Sequence, residues 1–339
     1  MEKLVSATLA DVAAHAGVSL ATASRVLNGS TRRVRPDNAE RVRTSAKELR
    51  YAANVQAQAV ARGSSSVIAL VVGDLADPYF ASIAAGVVAE ADRAGLFVTV
   101  VPATDGDGKT ARLLLGMRPR AAIFAAGRRT DRSAAEHQGL LDELALRGTQ
   151  PISVESDDDH DGATDGGTIR VANRAGAHAL GAALVDAGYE SFAVLGGDLH
   201  LVTARARIQG FCSGVGDAAV ASMPGGADGG FDRAVGYQQM LALINAGPLP
   251  DCVFAPADVM ALGAMRALRE RGLVAGKDVG LAGFDDIPTL EDVTPTLTTV
   301  RLPLEELGRR TVRAALGTTT DDRVLSGEVV LRGTTPRLR

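Results

Sequence analysis

Thr8-Leu9-Ala10-Asp11-Val12-Ala13-Ala14-His15-Ala16-Gly17-Val18-Ser19-Leu20-Ala21-Thr22-Ala23-Ser24-Arg25-Val26-Leu27-Asn28 holds two helical periods on either side of one glycine. Leu9, Val12, Ala13 and Ala16 fall at i, i+3, i+4 and i+7, the spacing of one helix face. Thr8 with Asp11 three residues later has the pattern of a capping box, in which the hydroxyl oxygen takes an early backbone N–H and the acid reaches back. Gly17 permits a left-handed stop, and Ser19 offers a hydroxyl cap for a second helix running to about Asn28. On that helix Val18, Ala23, Val26 and Leu27 point inward, whereas Leu20, Ala21 and Arg25 point outward. Two short helices across a tight turn leave the start of the second free to meet base edges in a major groove. Arg25 is the one long donor on that face able to make a bidentate contact to guanine. A small alanine-rich packing module is the plain alternative.

Working outward, a polar and basic loop, Gly29 to Arg35, leads to Pro36, which suits a first helical position. Ala39, Val42, Ala46 and Leu49 then give a third helix its core-facing stripe. The chain breaks near Ala53-Asn54, Val55 to Gly63 fits one further short helix, and Gly63-Ser64-Ser65-Ser66 reads as a linker. Residues 1–63 hold ten Lys or Arg against five acids, a net of +5; the whole chain is −4, so the remainder carries −9. A basic head on an acidic body suits a nucleic-acid module joined to something that is not one, although basic faces are also often merely solvated.

From Val67 the texture changes to short apolar runs alternating with amphipathic helices. Strands are expected at 67–73, 96–101, 121–126 and 151–154, with helices at about 79–94, 109–117 and 133–147 between them. A second series follows, with strands near 168–171, 191–195, 218–223, 252–255 and 279–284 and helices near 173–187, 203–214, 232–245 and 258–271. Glu155 to Gly167 reads as an exposed acidic loop, and a helix near 303–316 precedes a terminal strand near 328–332. Alternation of this kind predicts two doubly wound lobes with parallel sheets, whose ligands bind beyond the carboxyl ends of the strands.

At 339 residues the chain is long enough for two or three domains. With 46% hydrophobic and 22% charged residues and a mean hydropathy of +0.09, it belongs with soluble globular proteins and not with disordered, collagenous or coiled-coil ones. No apolar run approaches a membrane span, and the start, Met1-Glu2-Lys3-Leu4, leads into no apolar core of a secretory signal, so the expected location is the cytoplasm. Cys212 and Cys252 make no CxxC pair and are expected as buried small hydrophobes. His15, His137, His160, His178 and His200 are scattered, with no spacing for a metal or a nucleophile; neither a cofactor nor catalysis is expected. Ala103 to Thr110 is one glycine short of a phosphate-cradling loop and holds two aspartates that repel phosphate, which disfavours a nucleotide-hydrolysing enzyme.

Residues 8–28 resemble the DNA-binding head of the LacI family of transcriptional regulators. Glu48-Leu49-Arg50-Tyr51 followed by Asn54 resembles that family's approach to its hinge helix. The likeness extends along the chain: Asp77-Pro78-Tyr79-Phe80, Leu195-Gly196-Gly197, Thr203-Ala204-Arg205 through Arg207 to Gly210-Phe211, Asp258 to Gly263, Gly283-Phe284-Asp285-Asp286, Leu297-Thr298-Thr299-Val300, and Arg332-Gly333-Thr334-Thr335-Pro336. The fold so implied is a small all-α helix-turn-helix head (1–52), a hinge helix and linker (53–66), and a two-lobed body of the periplasmic-binding-protein type (67–339). Lobe one is placed at about 67–170 with 300–327, and lobe two at about 171–299 with 328–339.

The family implies a homodimeric repressor on operator DNA. The implied DNA contacts are Thr8, Ser19, Leu20, Ala21, Thr22, Ser24, Arg25, Asn28, Arg33, Asn54, Ala57 and Val60, with Arg32, Arg33, Arg41 and Arg43 on phosphates. Val60 takes the place of the apolar wedge that kinks the duplex from the minor groove, where the family usually has the longer Leu. Ala53 stands where Pro is common, and Arg35 where a hydroxyl usually caps the third helix. The implied effector residues are Tyr79, Phe80, Glu155, Thr203, Arg207, Phe231 and Asp285. Arg207 donates a fork of hydrogen bonds, Asp285 accepts from hydroxyls or ring nitrogens, and Phe80 and Phe231 cover ring faces; Phe80 also suits plain core. Ala257 and Ala172 replace polar family positions, leaving a cleft poorer in sugar-binding groups. A sugar or sugar derivative is the family's usual effector, and a nucleoside or purine also suits these side chains. The dimer interface is expected along helices near 79–94 and 232–271. A transporter's solute-binding protein and an enzyme on the same two-lobed fold are the rival classes; the basic head disfavours the first, and the want of a catalytic set the second.

Overall fold

A computed structural model describes residues 7–27, 34–52, 65–103, 108–125, 133–156, 167–196, 200–222, 230–318 and 324–338, and divides the chain into two compact units, Met1–Ser66 and Val67–Arg339. The hinge segment expected at 55–63, with Asn54, Ala57 and Val60, lies outside the described residues, as do Asn28, Arg32 and Arg33.

In the head, helices α1 (Leu9–Ala16), α2 (Leu20–Leu27) and α3 (Pro36–Glu48) enclose a core of Val12, Ala13, Ala16, Ala23, Val42 and Ala46. The expected capping box is formed: the Thr8 hydroxyl oxygen accepts from the Asp11 N–H, and the Asp11 carboxylate accepts from the Thr8 N–H at 2.8 Å. Gly17 ends α1 at φ 62°, which costs a residue without Cβ nothing. Its N–H and that of Val18 then donate to the last carbonyls of α1, and Ser19 caps α2 by accepting from the Thr22 N–H. Helix α3 starts on Pro36 without a side-chain cap, because Arg35 carries no short acceptor.

The body is built on two parallel sheets. The strands are β1 (Val67–Val72), β2 (Phe97–Pro102), β3 (Ala121–Phe124), β4 (Gln150–Ser156), β5 (Thr168–Val171), β6 (Ser191–Val194), β7 (Ala219–Ser222), β8 (Cys252–Phe254), β9 (Gly280–Ala282), β10 (Thr299–Arg301), β11 (Val324–Leu325) and β12 (Glu328–Val330). The first sheet runs β11-β5-β4-β3-β1-β2 and the second β7-β6-β8-β9, while β10 and β12 pair antiparallel as a two-stranded ribbon. The helices are α4 (Pro78–Arg93), α5 (Lys109–Met117), α6 (Ser133–Leu146), α7 (Asn173–Asp186), α8 (Val202–Val215), α9 (Arg233–Ala246), α10 (Asp258–Glu270) and α11 (Leu304–Ala315).

Two expectations need correction. The strand at 168–171, grouped by alternation with the second series although the resemblance ran lobe one to about 170, pairs with β4 and belongs to the first sheet. The terminal strand expected at 328–332 spans 328–330 and joins no large sheet; it pairs with β10. Pairing is a choice among distant partners, which periodicity along one strand does not encode. Glu155, expected at the start of a loop, is on β4.

Each sheet is covered on both faces. Ile68, Leu70, Ile123 and Ile152 meet α4 and α11 through Ile83, Val87, Leu307 and Val312, while Ala69, Val71 and Phe124 meet Leu114, Leu141 and Leu144 of α5 and α6. Full burial of each large side chain stabilises by about 1.5–3 kcal/mol. Three helix pairs approach closely through glycine. A Cβ on Gly86, Gly214 or Gly236 would lie 1.9, 2.1 or 2.1 Å from the carbonyl oxygen of Glu305, His178 or Met260 on the partner helix, so a side chain there would force the helices apart. No described helix is long and apolar enough to cross a membrane.

Candidate functional site

On the head, the start of α2 is open. Ser19, Leu20, Ala21 and Arg25 are exposed, Leu20 at 54%, although a leucine in a small domain is ordinarily buried. Ala23 is buried, and Val18, Val26 and Leu27 pack partly on the head core, as their spacing predicts. Thr22 bonds its hydroxyl to that of Ser19 at 2.9 Å, and Thr8 spends its hydroxyl on Asp11 at 2.7 Å. Arg41 and Arg43 are exposed on α3, with Glu40 3.8 Å from Arg43. The outward face of the helix-turn-helix therefore carries small polar groups around one arginine, a surface able to follow a groove and bond base edges.

In the body, one cleft of about 1190 Å³ is lined from both lobes, and all seven side chains expected to meet an effector lie on it: Tyr79, Phe80, Glu155, Thr203, Arg207, Phe231 and Asp285. Helix starts supply several of them. Asp77 caps α4, its carboxylate accepting from the Tyr79 N–H at 2.9 Å, and so fixes Tyr79 and Phe80 at the first-lobe rim. Their rings meet edge to face with centroids 5.1 Å apart, and Tyr79 packs on apolar clusters of both lobes. Burial raises the pKa of its phenol, keeping it a neutral donor. Thr203 and Arg207 project from the first two turns of α8. Phe231 precedes α9, where the Asp232 carboxylate accepts from the Val235 N–H.

Arg207 and Asp285 organise the floor. Both are buried, at 2% and 4% exposure. The guanidinium donates from Nε to Asn173 Oδ1 at 2.9 Å, from Nη1 to the Pro256 carbonyl at 2.8 Å and from Nη2 to Asp285 Oδ1 at 2.7 Å, and it lies 4.1 Å from the centre of the Phe284 ring. Three of its five N–H groups are thus engaged within the protein, so its first task is to orient Asp285; sequence reasoning assigned the whole fork to the ligand. Burial drives the Asp285 carboxyl upward, and the Arg207 guanidinium bonded to it pulls against that rise. Asp285 also stands at φ 119° and Asp286 at φ 57°, two consecutive non-glycine residues in costly backbone regions at a lobe crossing.

The next residue faces the crossover ribbon. Asp286 accepts from Arg332 at 2.6 and 3.0 Å and from Arg301 at 2.7 Å. Burial works against its charge, but the bonds from Arg332 and Arg301 outweigh that and hold its pKa below the ordinary range. Asp258, wholly buried at the start of α10, accepts from the Thr299 hydroxyl at 2.7 Å and the Ile287 N–H at 3.0 Å; with no cation beside it, burial raises its carboxyl to about 6.

Several lining residues escaped the sequence reading: Asn173, Asp77, Phe124, His137, Ser153 and Arg233. Asn173 was legible as the residue after Ala172 at a helix start, but its bond to Arg207, 34 positions away, was not. Ala257 and Ala172 are apolar as the sequence states; Ala257 lines the cleft, and Ala172 is buried at the α7 cap.

An open helix-turn-helix on one unit and a ligand-sized cleft between two parallel-sheet lobes on the other define a protein with a DNA-reading module and a small-molecule module on one chain. Residues 8–54 match the model for bacterial regulatory proteins of the lacI family, and residues 182–339 match a periplasmic binding protein-like domain. The HTH-type transcriptional repressor PurR of Haemophilus influenzae (strain PittEE) is 31% identical over 324 residues, covering 91% of this chain and 90% of that protein. The crystal structure of the lac repressor dimer bound to operator and the anti-inducer ONPF matches with a TM-score of 0.78 at 28% identity, covering 98% of this chain and all of that one. The complex of the transcriptional regulator CelR with cellobiose matches at 0.66 and 27%, covering 97% and 99%. The chain belongs to the LacI family, and it is a DNA-binding transcriptional regulator.

Proposed function

We propose that this regulator is a repressor that binds a pseudo-palindromic operator as a homodimer and changes its operator affinity when a sugar or sugar derivative occupies the cleft. The observation that carries the effector half is the buried Arg207–Asp285 pair on the floor of an interlobe cleft. A buried charge pair is costly to maintain and is retained where it serves recognition; here it leaves Asp285 Oδ2 to accept from a ligand hydroxyl. Tyr79, Phe80 and Phe231 cover ring faces, and Thr203 and Glu155 complete the polar set.

On the DNA side, Arg25 with Ser19, Leu20, Ala21, Thr22 and Ser24 reads base edges, and Arg41, Arg43 and the Thr8 end of α1 follow the phosphates. Asn28, Arg32, Arg33, Asn54, Ala57 and Val60 complete the DNA-contacting set by their positions in the sequence. Residues 53–66 act as hinge and linker. Dimerisation uses α4 in lobe one and α9 to α10 in lobe two. The protein catalyses no reaction, needs no cofactor and works in the cytoplasm, where its operator is. An effector that prefers one arrangement of the lobes shifts operator affinity by its differential affinity and no more, typically about 1–3 kcal/mol.

The test is binding of the full chain to the DNA upstream of its own gene across a salt series, with and without a panel of sugars and nucleosides. Tight, sequence-selective binding with a steep salt slope, shifted by one class of compound, is the expected result. Binding indifferent to sequence, with a compound still held by the body, would remove the repressor reading.

A further inference from the structure

We propose that the cleft contains a second subsite inside lobe one, floored by Val71, Phe124 and Ser153, and that the effector is accordingly an uncharged two-ring glycoside; this rests on the reading of the cleft as the effector site. Val71 is the register partner of Phe124, and Phe124 of Ser153, so the three form a row across β1, β3 and β4 on one face of the sheet. All three line the cleft. Opposite them stand Leu140 and His137 of α6, the His137 ring edge-on to Phe124 with centroids 4.9 Å apart. These residues stand on the lobe-one sheet and α6, whereas the Arg207–Asp285 floor of the same cleft lies on α8 and the crossover after β9.

Ser153 is what points to a ligand. It is 4% exposed, and its Oγ has no hydrogen-bond partner. Four buried side-chain polar atoms among the described residues share that condition, and of their residues only Ser153 lines the cleft. A hydroxyl desolvated without a partner costs folding free energy, and alanine would fit the apolar row of Val71 and Phe124 without that penalty. A ligand hydroxyl or ring oxygen reaching the recess supplies the missing bond, while its carbon face rests on Phe124.

Size and charge agree. The cleft, at about 1190 Å³, exceeds the roughly 300–1,000 Å³ of ordinary small-molecule sites. Six carboxylates line it among the described residues against two guanidiniums; with Arg207 and Asp285 paired to each other, the balance is five carboxylates against one guanidinium. A phosphorylated or carboxylated ligand would meet that excess unfavourably. One ring therefore sits between the lobes on Asp285, Tyr79 and Phe231, and the second enters the lobe-one recess.

The experiment is calorimetric titration of the full-length protein with matched pairs: D-glucose with cellobiose and maltose, D-galactose with lactose, and D-xylose with xylobiose. Each is run on the wild type, Ser153→Ala, Ser153→Val and Asp285→Asn. The expected result is a two-ring member bound at least tenfold more tightly than its one-ring half. Ser153→Ala should weaken the two-ring ligand by about five- to tenfold, the worth of one hydrogen bond, leave the one-ring ligand unchanged, and unfold in the absence of ligand at the same or a higher temperature than the wild type. Ser153→Val, which fills the recess, should lower two-ring affinity further. Equal affinity of wild type and Ser153→Ala for the two-ring ligand, or an equal loss for both ring numbers, overturns the subsite. Undiminished binding by Asp285→Asn overturns the reading of the cleft itself. Binding by no member of the panel overturns both.

Discussion

Replacing Arg207 with Met keeps an unbranched apolar stem against Phe284 and removes only the charge and its donors. Three charged or charge-assisted bonds, at 2.9, 2.8 and 2.7 Å, are lost, and Asn173 Oδ1, the Pro256 carbonyl and Asp285 Oδ1 lose a donor in a site where both ionic partners are at most 4% exposed. Breaking one side of a buried, hydrogen-bonded ion pair typically costs about 3–5 kcal/mol, since an uncompensated charge stays behind. For a unit the size of residues 67–339, at about 2–4 °C per kcal/mol, the body transition should fall by roughly 10 °C. Asp285→Asn leaves a carbonyl oxygen to accept from Arg207 and should cost about 1–3 kcal/mol. The double variant Arg207→Met with Asp285→Asn has no buried charge left, so its loss should be smaller than the sum of the singles by about 1–3 kcal/mol. The assay is denaturant unfolding of the full chain followed through the body transition, run as a double-mutant cycle. Losses that add to within about 0.5 kcal/mol, or an Arg207→Met cost under about 1 kcal/mol, would refute the argument that this pair acts as one buried unit.

Arg25→Ala should remove about 1–3 kcal/mol of discrimination between operator and a sequence altered at the contacted guanine, with effector affinity unchanged; competition gel shifts measure it, and unaltered discrimination would show that Arg25 reads no base. Asp258 has its folded pKa raised to about 6 against an ordinary 3.8. The stability it contributes is thus fully present below about pH 4 and is lost as pH rises through 6. Between pH 7 and pH 5 this group alone should add about 1 kcal/mol, and Asp258→Asn should flatten the curve by that amount; an unchanged slope in the variant would locate the titration elsewhere.

Much of the head was readable because its determinants are local. Thr8 and Asp11 are three residues apart, Gly17 and Ser19 two, and the stripe from Leu9 to Ala16 lies on two turns of one helix; no distant partner is needed to form any of these. Most helices and strands of the body were placed to within a few residues for the same reason, whereas the short strands β10 and β11 were not foreseen. Strand partnership was not: nothing in Thr168–Val171 distinguishes a neighbour at 150–156 from one at 191–194, since each is a short apolar run that can bond on either edge.

The effector residues became candidates through resemblance, and the fold brings Tyr79, Phe80, Glu155, Thr203, Arg207, Phe231 and Asp285 to one cleft. What they do there depends on neighbours far along the chain. Arg207 meets Asn173, Pro256 and Asp285 across 34, 49 and 78 positions, and those bonds change it from a free fork into an orienting group. Ser153 is the reverse case: a serine within Pro-Ile-Ser-Val-Glu looks like an incidental strand position until burial without a partner gives it a consequence.

By itself, then, the sequence determined the order and kind of the elements, the basic reading head, the acidic body and the family. The elements, the head and the body follow from periodicity, caps and charge, carried by residues close together on the chain, and the family from the resemblance of motifs spread along it. Tertiary structure alone decided which strands flank the one at 168–171, which acceptors occupy Arg207, how burial raises the Asp258 and Asp285 carboxyls, and which hydroxyl is left unpaired on the cleft wall. Each of those depends on desolvation and on contacts between residues far apart in sequence, and these quantities exist only once the chain has closed on itself.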